Sequence, residues 1–156
     1  MLLSEAVIMR AQRGFTLVQT LVMAAMLAAG TDVVIAQVST ELDARRVEQA
    51  KEGLTRIDAA LAAYRKAHHE LPAALSELGD ATALLDPWGR PYEYVNFEMR
   101  GTSGQRTFDS LPVNSDYDLY SRGPDGRTGT NLRSAESRDD VVRARDGAYL
   151  GPAADF

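Results

Sequence analysis

Between Gly14 and Asp32 the chain reads FTLVQTLVMAAMLAAGT, without one charged side chain. As a helix rising 1.5 Å per residue, such a run reaches roughly 26 Å, just short of a bilayer core of roughly 30 Å. It is long enough to span if its ends are helped. Arg10 and Arg13 precede it and Asp32 closes it. Positive charge on the near side keeps the N-terminus cytoplasmic and exports the rest of the chain. A cleaved secretory signal is the competing reading, with its cut near Ala36. Against it, the residues beyond the run continue straight into a helical pattern, which a discarded peptide has no reason to do.

That pattern begins at Glu41. Val47, Ala50, Leu54, Ile57, Leu61 and Tyr64 fall at alternating spacings of three and four, the mark of one buried helix face. Arg45, Glu48, Glu52, Arg56 and Arg65 lie opposite. No proline and only Gly53 interrupt residues 38 to 69, so the apolar and amphipathic segments read as one continuous helix of about 55 residues. The helix is expected to stop near His69, because Pro72 biases Leu71 away from helical backbone and cannot continue a helix itself. His68 and His69 point to different sides and suit a solvated helix end better than a shared metal.

Composition narrows the function classes. At 156 residues the chain allows one modest globular domain with an appendage. A formal charge of −5 and an isoelectric point near 5.0 remove the basic face that nucleic-acid binding needs. Without cysteine there is no disulfide, thiolate metal site or cysteine nucleophile. Gly-x-Ser-x-Gly, His-Glu-x-x-His and phosphate-loop motifs are absent too. The adjacent acids Asp139 and Asp140 sit in a charge-mixed segment, so an enzyme is not expected.

Past the helix, AALSEL reads as a short helical turn and Asp86-Pro87-Trp88-Gly89 as a tight turn. PYEYVNF and DYDLYS alternate as strands, with RGTSGQRTFDS between them as a hairpin loop. A glycine- and aspartate-rich tail follows. The class is therefore α+β: one long N-terminal helix packed on a small antiparallel sheet.

These segments resemble a known family. RGFTLVQTLV is similar to the leader and processing site of type IV pilin-like proteins. DPWGRPYEYV, then DLYSRGPDGRTGT, then DDVV, resemble in order and distance the globular signature of the type II secretion major pseudopilin. The resemblance implies a pilin-like fold with a leader at 1–14, a transmembrane helix at 15–36 and a periplasmic domain at 37–156. A prepilin peptidase would cut after Gly14 and methylate Phe15 at the new amino terminus. A start at Met9 would make MRAQRG a short basic leader. Mature subunits would polymerise with other pseudopilins on an inner-membrane assembly platform, forming a periplasmic pseudopilus that moves folded proteins across the outer membrane. A type IV pilus minor pilin and a membrane-tethered domain that does not polymerise are the alternatives.

Two features depart from that family. The fifth mature residue, usually a glutamate whose carboxylate meets a neighbour's terminal ammonium, is Gln19 here. Thr31 and Asp32 stand where the family continues apolar. The resemblance also implies structural calcium, held by Asp125, Asp139, Asp140 and the main-chain carbonyl of Arg122. Carboxylates from two places with loop carbonyls and water are suitable calcium ligands, although NLRSAESR lengthens the intervening loop. Asp118 and Glu136 are further acids near the site. The other reading makes these solvated aspartates, partly neutralised by Arg127, Arg133, Arg138 and Arg143.

Overall fold

The computed structural model describes residues 17–79 and 85–156. The chain divides into two units, Met1–Thr40 and Glu41–Phe156. Helix α1, Leu17–His68, contributes to both. Within the first unit Leu17, Val18, Leu21 and Val22 are exposed, and Thr20 Oγ1 donates to the carbonyl of Leu17 at 2.8 Å. Among the described residues no helix is long and apolar enough to cross a membrane; the side chains of 23–40 lie outside the described set.

In the second unit, α1 ends as its sequence dictates. The N–H of His69 still donates to the carbonyl of Arg65 at 2.8 Å, but His69 itself turns to a φ of 61° and Pro72 prevents resumption. A 3₁₀ turn, Leu75–Leu78, follows where AALSEL suggested one. Glu77 Oε1 accepts from the N–H groups of Ala73 and Ala74 at 2.9 and 3.2 Å.

Among the described residues six strands follow: β1 (Glu93–Asn96), β2 (Thr107–Phe108), β3 (Leu111–Pro112), β4 (Tyr117–Ser121), β5 (Val141–Ala144) and β6 (Tyr149–Pro152). The main sheet runs β1-β4-β5-β6, every pairing antiparallel, and β2-β3 form a separate hairpin. The expected strand PYEYVNF is cut short at Asn96. Its Oδ1 accepts from the N–H of Glu98 at 2.9 Å and so caps a single helical turn, α2 (Phe97–Arg100). The aspartate-rich tail is not all loop, since it supplies β5 and β6. The RGTSGQRTFDS loop likewise contains β2.

Strand alternation divides the sheet's side chains between two cores. Tyr117, Leu119 and Val141 join Ala50, Leu54, Ile57 and Leu61 of α1, with Leu71, Leu75 and Tyr92. Val142 and Ala144 point the other way, into a cluster with Val113, Leu132 and Ala153. Phe108, Tyr120, Tyr149 and Phe156 close this second cluster. The 105–113 hairpin and the 128–134 segment thus cover the face that α1 leaves bare. They are also stitched together: Thr107 N–H donates to the carbonyl of Thr130 at 2.8 Å, and Leu132 N–H to that of Thr107 at 2.9 Å.

Candidate functional site

The loop expected to carry the chemistry, 122–140, leaves β4 and returns into β5. Two turns position it. The first is Asp86-Pro87-Trp88-Gly89-Arg90, built on one buried carboxylate. Asp86 Oδ1 accepts from the N–H groups of Trp88 and Arg90 at 3.0 and 2.8 Å, while Oδ2 accepts from Ser121 Oγ at 2.6 Å. Gly89 takes the required φ of 81°. This turn aims Arg90 at the loop, where Nη1 donates to the carbonyl of Gly123 at 2.7 Å and Nη2 to that of Pro124 at 3.3 Å.

The second device is the hairpin. It delivers Arg106, with only 4% of its side chain exposed, against a fully buried Asp140. The guanidinium binds Asp140 Oδ2, donates to Thr128 Oγ1 at 2.7 Å and lies 4.0 Å from the centre of the Tyr120 ring. Thr128 Oγ1 in turn donates to Asp140 Oδ2 at 2.6 Å. The main-chain N–H of Arg106 donates to Asp118 Oδ2 at 2.7 Å, and Asn114 Nδ2 to Asp118 Oδ1 at 3.0 Å. Burial pushes the carboxyls of both Asp118 and Asp140 up, and their hydrogen bonds and Arg106 draw them back only in part.

Of the residues implied as calcium ligands, Asp125 and Asp139 lie together: the Asp125 N–H donates to Asp139 Oδ2 at 3.1 Å. Asp125 Oδ1 accepts from the N–H of Arg127 at 2.7 Å. Asp140 is turned inward to Arg106 and Thr128, leaving its Oδ1 buried without a partner. Arg122 sends its guanidinium to Glu93 at 2.7 Å. Among the described residues no three or more His, Asp or Glu side chains are grouped to hold a metal ion. In this arrangement Asp125 and Asp139 share a main-chain hydrogen bond, while Asp140 Oδ2 is taken by Arg106 and Thr128.

The arginines expected to neutralise these aspartates mostly go elsewhere. Arg127 pairs with Glu136 at 3.0 Å and Arg133 with Asp109 at 3.1 Å. Arg143 belongs to another cluster, against Asp58 and Asp116. Asp118 is not a solvated neighbour of the loop but a buried acceptor for the hairpin. Gln19 is exposed on α1, and Gly14 and Phe15 lie outside the described residues. Sequence reading missed Arg90 and Arg106. DPWGRP marked a turn but not the target of its arginine, and nothing local distinguishes Arg106 from a surface residue.

The fold is α+β, a helix whose amphipathic stretch packs on a small antiparallel sheet, and this agrees with the pilin-like class. No protein-family model matches the chain, and no solved structure does. Among curated proteins it is similar to the type II secretion system core protein G of Pseudomonas aeruginosa, 29% identical over 147 residues, covering 81% of this chain and 94% of the relative. The resemblance to the type II secretion pseudopilins, read from the residues themselves, is borne out by that similarity.

Proposed function

We propose that the protein is a structural subunit of a type II secretion pseudopilus, in the cell envelope, where it helps move folded proteins across the outer membrane. The observation that carries this is the extent of the similarity, 94% of the relative's length, together with an amphipathic α1 stripe buried on the sheet. The exposed Leu17, Val18, Leu21 and Val22 support burial of the first part of α1 in lipid or against other subunits. In this reading residues 15–31 anchor the chain once in the inner membrane, with the globular part in the periplasm. A prepilin peptidase cuts after Gly14 and methylates Phe15. Other pseudopilins and the inner-membrane platform are the partners. The role is mechanical, so no catalytic residues are assigned. For the 122–140 loop, the resemblance offers calcium and the fold offers guanidinium groups of its own.

The test combines mass and secretion. Intact mass of membrane-extracted protein should correspond to a chain beginning at methylated Phe15, and deleting the gene should stop export of folded proteins until it is restored. A soluble product cut near Ala36, or unchanged export with lost surface motility, would overturn the reading.

A further inference from the structure

Loops that carry several carboxylates and few apolar side chains need a source of positive charge to stay ordered. In this chain that charge is covalently attached. We propose that Arg106, assisted by Arg90, is the resident cation of the 122–140 loop, so that the loop folds without a divalent metal. The inference rests on the loop geometry and on the calcium that the resemblance implies; it does not depend on fibre assembly.

Three observations converge. First, Arg106 meets groups from three stretches of chain at once: Asp140 and Thr128 by its guanidinium, Tyr120 by its planar face, and Asp118 by its N–H. A planar fork suits such bridging, whereas a compact ammonium does not. Second, its place is fixed on both sides. Val113 N–H donates to the Arg106 carbonyl at 3.1 Å, and Thr107 forms a parallel bridge with Asn131. Third, the innermost carboxylate is already neutralised: Asp140 Oδ2 is bound by the Arg106 guanidinium and by Thr128, within a network in which Arg122 pairs with Glu93, Arg127 with Glu136 and Arg133 with Asp109. Arg90 also binds two main-chain oxygens of the loop, the carbonyls of Gly123 and Pro124. Gly126 allows that approach, since a Cβ there would lie 2.6 Å from Arg90 Cζ.

The experiment is thermal melting of the full mature chain in detergent, followed by circular dichroism, in millimolar calcium chloride, magnesium chloride or EGTA. Wild-type curves should coincide in all three. Arg106→Gln should lower the melting temperature by at least about 5 °C or prevent folding, because it strands a buried carboxylate. Arg127→Gln, in the same loop but exposed, should change it by less than about 2 °C. Arg106→Lys should fall between them. If Arg106→Gln folds, calcium should now raise its melting temperature above that in EGTA, since Asp140 Oδ2 is released. A wild-type curve shifted upward by calcium but not magnesium would overturn the proposal without needing any variant. So would an Arg106→Gln chain as stable as Arg127→Gln. Neither result touches the pseudopilus reading, which is judged by processing and export.

Discussion

The Tyr92 hydroxyl donates to the main-chain carbonyl of Ala50 at 3.1 Å, and in doing so lies across the helix surface where Gly53 has no side chain. A Cβ on Gly53 would stand 2.0 Å from that oxygen and 2.7 Å from Tyr92 Cζ. The glycine that interrupts the amphipathic half of α1 is therefore the seat of an aromatic ring. Burial pushes the Tyr92 hydroxyl up to about 12, so it stays protonated as a donor throughout the working range of pH.

Gly53→Ala should destabilise the fold although helix propensity alone favours it by about 1 kcal/mol. Displacing the ring from a packed core costs about 1 to 3 kcal/mol, which outweighs that gain. Tyr92→Phe alone should cost about 1 kcal/mol for the lost hydrogen bond. The double variant should recover part of the Gly53→Ala loss, because the closest clashing atom is gone. Denaturant midpoints of the four proteins check this, and a Gly53→Ala midpoint at or above wild type would refute it.

The helix stripe at 47–64 was legible because α1 presents one face to a core, and one-sided burial writes a three-and-four spacing into the sequence. Strands β4 and β5 were less so. Asp118 and Asp140 look like surface acids in the sequence, yet each is buried on the far side of the sheet with its partner supplied by a hairpin a dozen or more residues away. Val141-Val142-Arg143-Ala144 shows no alternation, since both faces of β5 are covered. Polar residues buried by distant partners leave no local signature, and that is why Arg90 and Arg106 were invisible while the aspartates of the loop were not.

Leu54 and Leu61 are both fully buried in the first core. Replacing either by Ala should lower stability by about 2 to 5 kcal/mol, from lost transfer energy plus the cavity. Leu42, half exposed on the same helix, should tolerate the same change with less than about 1 kcal/mol of loss. Urea titrations should separate the three variants clearly.

Acid titration should expose two groups of opposite sign. The Ser115 N–H donates to Asp146 at 2.7 Å and holds its carboxyl below the usual range. Its folded pKa is depressed, so its stabilising effect is present above the unfolded value of about 3.9 and is lost as pH falls through the folded pKa. Asp146→Asn should therefore melt lower than wild type at pH 7, with the gap closing below about pH 4. Asp118 behaves oppositely. Burial raises its pKa, so its charged form costs stability at neutral pH and that cost is relieved as pH falls through the folded pKa. Asp118→Asn should remove this relief and leave a flatter stability curve on the acid side.

Gln19→Glu should increase polymer on overexpression if subunits assemble as proposed. A carboxylate 4 Å from a neighbour's terminal ammonium gains on the order of 4 kcal/mol at an effective dielectric near 20, whereas an amide offers a hydrogen bond of about 1 kcal/mol. Equal or smaller amounts of sedimented polymer would mean that this subunit caps the fibre or pairs the ammonium with another group.

Arg143 ties the sheet to α1, and its removal should be strongly destabilising to the globular unit. Only 4% of its side chain is exposed. Nε binds Asp58 of α1, Nη1 and Nη2 reach Asp116 at 2.8 and 3.1 Å, and Nη1 also donates to the Tyr117 carbonyl at 3.3 Å. The guanidinium lies 3.9 Å from the centre of the Tyr117 ring, whose hydroxyl donates to the same Asp58 oxygen at 2.6 Å. Arg143→Met keeps the bulk of the stem but leaves Asp58 without its cation and Asp116 with only Arg65 at 3.8 Å, which should cost about 3 to 5 kcal/mol. Arg143→Lys restores the charge yet cannot serve both carboxylates and the ring, so it should recover only part of the loss. Because the cluster is shielded from water, the ranking should survive a change from 0.05 to 0.5 M salt, unlike that of the exposed pair Arg45 and Glu41. A Met variant within about 1 kcal/mol of wild type in guanidine-free urea titrations would show that the pair only breaks even against its desolvation.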